Sequence, residues 1–262
     1  MTTHTTQDAK NFAHYPSLAG RTVFVTGGSS GIGGDIVVAF ARQGAKVGFT
    51  GRNAQSAADV VARASAVGPT PLFLQSDATD VPALQQAIRT TAETLGDIAV
   101  LVNNVANDQR HDLMAVTEED FDWRVAINLR PHFFAAQAVV EGMKRLGGGA
   151  IVNLGSTSWI GKSKGYPVYA TCKSATVGLT RSLAKELGEF KIRVNTLTPG
   201  WIMTEKQLTM WVDEAGERAM NENQCLPGRI VGNDVANLAL FLSADDSRMV
   251  TAQDFIIDAG WN

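Results

Sequence analysis

The chain has 262 residues, of which 45% are hydrophobic and 19% are charged, and its formal net charge is −3. This length is sufficient for one α/β domain with its own core. Such a small net charge gives no bulk attraction to nucleic acid or to an anionic membrane, and no apolar run is long enough to cross a bilayer.

The cysteines and the N-terminal segment bear on where the protein works. Cys172 and Cys225 are far apart in sequence and do not have metal-ligand spacing, so a reducing compartment is favoured, with a disulfide between them left open. Residues 1–17 are predicted to be a flexible leader, since their polar start lacks the apolar segment of a signal peptide. We therefore expect a cytoplasmic protein without a metal site.

Short apolar strands alternate with helices along residues 18–262. The strands lack an apolar–polar alternation, which indicates burial on both faces and hence a parallel sheet. The sequence therefore predicts one α/β domain, a Rossmann-like doubly wound parallel sheet with flanking helices. The predicted strands are 22–26, 46–50, 71–76, 98–103, 149–154, 192–197 and 254–257. The main helices fall near 36–41, 54–66, 118–144, 169–187 and 233–242, with a further helix opened by Asp80 and Pro82.

One segment interrupts this regular alternation. Residues 203–227 combine Met, Trp, Glu and Lys with only weak periodicity. We interpret this segment as a small inserted lid over the strand ends, the alternative being an ordinary helical excursion that does not move.

A glycine-rich turn joins the first strand to the first helix, with glycines in the spacing Gly27-x3-Gly31-x-Gly33. Glycine lets the backbone turn tightly and approach a diphosphate, whose charge suits a helix N-terminus. Glycine alone is also common in ordinary turns, but its position after the first strand of a βαβ unit favours a dinucleotide site. The predicted cofactor-binding residues of this turn are Gly27, Ser29, Ser30, Gly31, Ile32 and Gly33.

The ends of the next strands carry residues that would meet the adenosine half of a dinucleotide. Arg52 follows the second strand where an NAD-binding protein would carry an acidic residue, and an arginine there suits the 2′-phosphate of NADP. NADP is therefore favoured, with NAD also possible, unless Arg52 is only a solvated loop cation. Asp77 is placed to meet the adenine edge, and Asn103 and Asn104 are predicted to lie beside the ribose and support the sheet end.

Four side chains form a candidate catalytic group. Tyr169 and Lys173 are four residues apart, so they share one face of a predicted helix. A phenol has a pKa near 10, and a neighbouring ammonium is expected to lower the pKa of Tyr169, making it a usable base. Lys173 could also donate to the nicotinamide ribose. Ser156, after the fifth strand, would hold the substrate oxygen, and Asn128 could order a water that relays protons from Lys173.

Each of these residues has an ordinary structural interpretation when taken alone. A Tyr–Lys pair is often a surface feature, and a serine after a strand often caps a helix. Tyr166 has no lysine four residues later, so it is not an equivalent candidate. Cys172 has no base nearby to activate it as a nucleophile and is interpreted as a packing residue.

With these motifs in place, the chain resembles the short-chain dehydrogenase/reductase family from about residue 18 to 262. The resemblance implies a Rossmann-like domain, an NAD(P) cofactor, an Asn128–Ser156–Tyr169–Lys173 tetrad and a homotetramer or homodimer. One departure is Val105-Ala106 after Asn103-Asn104, where the family commonly has Ala-Gly. The further cofactor-binding residues that the resemblance implies are Asn104, Tyr169, Lys173, Pro199, Gly200, Ile202 and Thr204.

Several local stretches, 107–111, 155–159, 224–231 and 258–261, resemble bacterial sugar dehydrogenases of the D-xylose 1-dehydrogenase type. Tryptophan faces and converging polar groups suit a polyol at the strand ends. An interpretation of Trp159 and Trp201 as core or subunit-contact residues is equally good, and Trp261 is expected to pack at the terminus or against another subunit. The predicted substrate-binding residues are Asn107, Ser156, Ser158, Trp159, Tyr169 and Trp201.

The function that these patterns favour is NAD(P)-dependent oxidation of an aldose, a pentose or deoxyhexose, at C1 to the lactone. The alternative is an NADPH-dependent reductase of a ketone, such as a 3-oxoacyl thioester or a keto-sugar acid, to which Lys162 and Lys164 would offer a small basic patch. A scaffold that binds NADP without turnover is disfavoured because Tyr169 and Lys173 are both present. A nucleic-acid-binding module is disfavoured because no basic stripe is present.

Overall fold

The computed structural model describes residues 12–262. Seven parallel strands form one sheet in the order β3-β2-β1-β4-β5-β6-β7. The strands are β1 (Thr22–Thr26), β2 (Lys46–Gly51), β3 (Leu72–Gln75), β4 (Ile98–Asn103), β5 (Gly149–Leu154), β6 (Ile192–Pro199) and β7 (Asp254–Ile257).

Nine α-helices flank the sheet in the described part of the chain. They are α1 (Gly31–Arg42), α2 (Ala54–Ser65), α3 (Val81–Leu95), α4 (Glu118–Asn128), α5 (Arg130–Arg145), α6 (Pro167–Leu187), α7 (Glu205–Met210), α8 (Glu214–Asn223) and α9 (Gly232–Ser243). Short polar side chains cap the N-termini of several helices. The side chain of Asn53 accepts a hydrogen bond from the Ser56 N–H, and that of Asp80 accepts one from the Ala83 N–H. These bonds satisfy N–H groups that a helix start leaves free.

The sheet separates two hydrophobic clusters. One face packs against α1, α2 and α9 through side chains such as Ile36, Phe40 and Val235. The other face packs against α3, α5 and α6, with Phe24 and Leu101 fully buried between them. Because both faces are covered, β1, β4 and β5 each contain a run of consecutive buried apolar residues, which confirms the predicted doubly wound α/β fold.

The predicted long helix over 118–144 is instead two helices, and this prediction was wrong. Pro131 has no N–H to donate to the carbonyl of Ile127, so the hydrogen-bond ladder fails there. The His132 N–H turns to the carbonyl of Leu129 at 3.1 Å, and Leu129 leaves helical geometry with φ −132°. The break falls directly after Asn128, one of the predicted catalytic residues.

The predicted leader lies mostly outside the described residues. Its last residues are attached to the domain, because Gln43 donates to the carbonyl of Ala13 and accepts from the N–H of Tyr15. Leu18 is fully buried. The domain therefore makes contacts a few residues before the predicted boundary at residue 18.

Cys172 is buried and Cys225 exposed, and both are free thiols, so the disulfide left open by the sequence does not form. Within residues 12–262, no helix combines the length and the apolar character that a membrane crossing requires.

Candidate active site

The strand order reverses between β1 and β4. A cavity opens near this point, at the carboxyl ends of the strands. Open α/β sheets bind ligands at this kind of position, where the loops diverge to either side. The cavity has a volume of about 520 Å³, within the range of small-molecule sites. Its wall includes Asn104, Asp108, Arg110, Ser156, Ser158, Tyr166, Tyr169, Lys173, Pro199, Gly200, Trp201, Ile202, Thr204, Gln207, Trp261 and Asn262.

The turn after β1 fits the diphosphate of a dinucleotide. Gly27 and Gly31 have φ of +67° and +53°, which favours glycine. A Cβ at Gly33 would lie 2.2 Å from the Gly27 carbonyl oxygen, so the helix start can approach the turn only because that side chain is missing. Ser30 caps α1 without a side-chain hydrogen bond, which leaves the first N–H groups of the helix available to an anion.

Asn104 braces this turn from the neighbouring strand end. Its Nδ2 donates to the carbonyls of Thr26 and Gly27 at 3.0 Å each. Val105 also packs on the turn, because a Cβ added at Gly27 would lie only 3.0 Å from the Val105 Cα. Asn103 is fully buried and donates to Asn153 and to the carbonyl of His132. Asn103 therefore supports the sheet end, and its side chain has no access to a ribose.

Arg52 and Asp77 stand together beyond the ends of β2 and β3. An Arg52 nitrogen lies 4.0 Å from an Asp77 oxygen, and both side chains are well exposed. The other Asp77 oxygen accepts from the N–H and hydroxyl of Thr79 at 2.9 Å. A Cβ at Gly51 would collide with the hydroxyl of Ser29, so this strand end has no room for an acidic side chain at position 51.

Tyr169, Ser156 and Lys173 converge on the inner end of the cavity. Lys173 lies one turn after Tyr169 on α6, is 1% exposed, and donates to the Leu154 carbonyl at 2.7 Å. Its Nζ is 5.7 Å from the Tyr169 ring centre. Ser156 is held in the turn after β5, where its hydroxyl accepts from the Ser158 N–H at 3.2 Å.

Burial is the main influence on the pKa values of Lys173 and Tyr169. Burial lowers the pKa of Lys173 to about 8, opposed by Cys172 and Asp108. Burial also raises the pKa of Tyr169, and the hydrogen bond with Ser156 lowers it only in part. The prediction of a lowered Tyr169 pKa is therefore wrong for the protein alone, because the loss of water around the phenolate outweighs the neighbouring groups.

Asn128 uses its side chain to hold the loop after β4. Its Oδ1 accepts from the Asn107 N–H at 2.8 Å, and its Nδ2 donates to the carbonyls of Asn107 and Arg124. Because the helix breaks after Asn128, the His132 N–H pairs with Leu129 instead of with the Asn128 carbonyl. That backbone carbonyl, and not the amide side chain, is the acceptor that Asn128 can offer to a water.

The structure brings only some of the predicted substrate residues to the cavity. Ser158 and Trp201 line it, as do Ser156 and Tyr169. Trp159 is 39% exposed and is not part of the wall. Asn107 is not part of the wall either, since its backbone is bound by Asn128 and its Oδ1 accepts from the Gln109 N–H.

Known proteins resemble this chain over almost its whole length. A family profile described as enoyl-(acyl carrier protein) reductase matches residues 27–262. D-xylose 1-dehydrogenase of Caulobacter vibrioides is 42% identical over 249 residues, covering 95% of this chain and 98% of that protein. The chain belongs to the short-chain dehydrogenase/reductase family. The predicted family and enzyme class are thereby confirmed.

Other short-chain dehydrogenase/reductase relatives agree in sequence and in fold. A Rhizobium meliloti protein named "Probable galactose dehydrogenase GalD" is 44% identical over 249 residues, covering 95% of this chain and 97% of that protein. The structure of a short-chain dehydrogenase/reductase from Serratia marcescens superimposes with a TM-score of 0.86 at 32% identity, covering 94% and 99% of the two chains. A metagenomic blue fluorescent protein in complex with NADPH superimposes with a TM-score of 0.84 at 34% identity, covering 94% and 99%.

Membership in the family makes the chain an oxidoreductase that uses a nicotinamide dinucleotide, and the turn after β1 has the shape to hold one. Pro199 and Gly200 extend that cleft at the end of β6. Thr204 reaches across it, with Cγ2 3.5 Å from where a Cβ at Gly31 would lie. Which of the predicted residues touch the cofactor stays a prediction.

Asp108, Arg110 and Gln207 are polar residues of the wall that the sequence did not identify individually, although the first two lie in the stretch 107–111. Asp108 accepts from Lys206 and from Gln207 Nε2, and Gln207 Oε1 accepts from the Trp201 indole at 2.9 Å. These bonds fix α7 to the loop after β4. The available signal was position, because Asp108 and Arg110 follow a strand end at the edge of the sheet where ligands bind.

His132 gives a testable pH dependence. Burial, with a smaller contribution from the charge of Lys173, lowers the pKa of His132 to about 3 from an ordinary value of 6.5. Between these pH values the unfolded chain binds a proton that the folded chain does not, so the free energy of unfolding falls as the pH drops below about 6.5.

We expect His132→Gln to lose this dependence. Urea unfolding measured from pH 7 to pH 4 gives the slope of the unfolding free energy, and the variant should take up about one proton fewer on unfolding than the wild type. Equal slopes for the two proteins would show that His132 is not kept neutral by the fold.

Proposed function

We propose that this enzyme oxidises an aldose at C1 to the lactone, with a pentose or deoxyhexose as substrate. The observation that carries the proposal is the composition of the cavity around Tyr169. Hydroxyl, carboxylate and guanidinium groups of Ser158, Asp108 and Arg110 share the wall with the indole of Trp201. Polar groups at fixed positions and an aromatic face suit a polyol ring, and the two sugar dehydrogenase names among the relatives support this class.

In the proposed mechanism Ser156 donates to the C1 oxygen and Tyr169 takes the proton of the C1 hydroxyl. A nicotinamide dinucleotide held at the turn after β1 would supply the hydride acceptor; with the proton and the hydride gone from the C1 hydroxyl and C1, the C1–O bond is the carbonyl of the lactone. Lys173 is a cation below pH about 8, and its positive charge favours the phenolate of Tyr169 against the effect of burial. A water at the Asn128 carbonyl would carry the proton onward from Lys173.

We further propose that residues 203–227 act as a lid. The segment consists mostly of α7 and α8, and it supplies Thr204, Gln207 and Ala219 to the cavity wall. The bonds of Asp108 to Lys206 and Gln207 hold the lid closed. Closure of this kind excludes water from the reacting atoms.

We also propose a homodimer or homotetramer working in the cytoplasm. Large apolar side chains stay exposed around α4 and α5, where a second subunit would cover them. They are Leu113, Met114, Phe121, Trp123 and Phe133. The two free thiols fit a reducing compartment.

NADP is proposed as the preferred cofactor because Arg52 is exposed and its only acidic neighbour among the described residues, Asp77, is at 4.0 Å. We expect Arg52→Ala to lower kcat/KM for NADP about ten- to a hundredfold, as befits a lost charged hydrogen bond. The value with NAD should change little. Initial rates with each cofactor check this, with Arg89→Ala, an exposed arginine on α3, as the control. An equal loss with both cofactors would rule out a contact with the 2′-phosphate.

The substrate class is tested by screening aldoses with NAD and NADP separately and following the absorbance of the reduced nicotinamide. Reduction of either cofactor by a pentose or deoxyhexose is the expected result. The proposal fails if every aldose is silent while 3-oxoacyl thioesters or keto-sugar acids oxidise NADPH, since the enzyme would then be a ketone reductase.

A further inference from the structure

Arg110 contacts two aromatic side chains at the cavity wall. Its guanidinium carbon lies 3.7 Å from the ring centre of Tyr166, next to the catalytic helix, and 5.0 Å from that of Trp211, at the end of α7. Tyr166 in turn meets Tyr169 edge to face, with ring centres 5.4 Å apart. Two rings therefore hold a guanidinium near the proposed base.

The polar edge of this guanidinium has no protein partner. Among residues 12–262, no carboxylate lies within 4.0 Å of Arg110, and its side chain donates no hydrogen bond to another described residue. The nearby Asp108 pairs with Lys206 instead. The Arg110 guanidinium therefore packs on aromatic rings while its N–H groups have no partner among the described residues. These N–H groups are available as donors in the cavity.

The charge of Arg110 also affects the pKa of Tyr169, the proposed base. Burial is the main influence on the pKa of Tyr169 and raises it, and Arg110 acts in the opposite direction. Tyr166 contacts both Arg110 and Tyr169, and all three side chains line the same cavity. A ligand held by Ser156 and Tyr169 at one end would meet Arg110 at the other.

We propose that Arg110 determines substrate specificity by donating two parallel hydrogen bonds to a pair of adjacent oxygen atoms on the substrate, away from C1. This inference rests on the proposed function. Two neighbouring hydroxyls of a pyranose present such a pair, and so does the carboxylate of a uronic acid, whose two oxygens can accept from one guanidinium together. Lysine cannot replace arginine here, because a point cation neither stacks between two rings nor forms a planar fork.

The test compares Arg110→Gln and Arg110→Lys with the wild type on aldoses, on their mono-deoxy analogues and on the matching uronic acids. Both variants should raise KM about ten- to a hundredfold with kcat nearly unchanged, because the contact holds substrate and transition state alike. The cofactor Kd should not change. Arg89→Lys, a substitution on the exposed face of α3, is the control and should leave all three values as in the wild type.

The analogues identify the oxygen pair. For the deoxy sugar that lacks a bound hydroxyl, wild type and Arg110→Gln should have the same KM, which supports the assignment to a neutral sugar. A wild-type preference for the uronic acid that disappears in Arg110→Gln supports the same role for Arg110 with a carboxylate as its ligand.

Two results overturn the inference and are distinguishable from failure of the proposed function. If the wild type oxidises aldoses and the variants keep its KM, Arg110 does not bind the substrate. If the variants lose activity by one common factor on every substrate, including the deoxy analogues, the role of Arg110 is only structural, through its contacts with Tyr166 and Trp211. If the wild type oxidises no aldose or uronic acid, the proposed function fails and this assignment fails with it.

Discussion

Tyr169→Phe is expected to lower kcat for aldose oxidation by a factor between about 10² and 10⁴, the range for loss of a general base. The substitution removes one oxygen atom and keeps the ring that packs edge to face on Tyr166. The fold and the turn after β1 should therefore be unaffected, and the cofactor Kd should stay near the wild-type value.

Tyr166→Phe is the matched control for this experiment. Tyr166 is three residues away, its ring contacts both Tyr169 and Arg110, and it has no lysine four residues later. We expect this variant to keep kcat within about threefold of the wild type, since the substitution removes only the hydroxyl of Tyr166 and keeps its aromatic ring. Initial rates and cofactor titration by fluorescence measure both variants. A Tyr169→Phe protein with near-normal turnover would show that another group accepts the proton.

The second large effect is expected for Gly33→Ala. A Cβ at this position would lie 2.2 Å from the Gly27 carbonyl oxygen and 2.4 Å from Asn104 Nδ2. The first neighbour belongs to the turn and the second braces it from the end of β4, so the turn must open. We expect the cofactor Kd to rise about ten- to a hundredfold through loss of charge-assisted hydrogen bonds. The free energy of unfolding should fall by about 1–3 kcal/mol, as in other overpacked sites.

Gly178→Ala separates this effect from the general consequence of removing a glycine. Gly178 lies inside α6, and nothing is within 4 Å of where its Cβ would be. The added methyl should stabilise the protein by about 0.5–1 kcal/mol and leave the cofactor Kd unchanged. Urea unfolding and cofactor titration measure both variants. If Gly33→Ala binds the cofactor as tightly as Gly178→Ala does, the turn is not the diphosphate site.

The regular part of the fold was predictable from the sequence because strands buried on both faces have a distinctive composition. All seven strands lie within two residues of their predicted positions. The glycine-rich turn and the Tyr169–Lys173 spacing were predictable for a similar reason, since one depends on backbone conformation and the other on helical periodicity. Both signals are local in the sequence.

The features that were missed depend on contacts across the fold. The helix break after Asn128 was visible locally in Pro131, but the apolar pattern continues through it. The rise in the Tyr169 pKa follows from burial, which no spacing reveals. Trp159 and Trp201 were equivalent candidates in the sequence, and only the path of the loops places Trp201 at the cavity and Trp159 outside it. Arg110 depends on two rings that come from distant segments.

The most direct test of the proposed oxidation follows the hydrogen on C1. Aldoses deuterated at C1, chosen from those that the screen identifies, are incubated with the enzyme and NADP or NAD, and both products are analysed by mass spectrometry. The proposed function predicts one deuterium in the reduced nicotinamide and a lactone, or the acid formed from it, that has lost the deuterium. Reduced cofactor without deuterium, or a sugar product that keeps it, would contradict oxidation at C1.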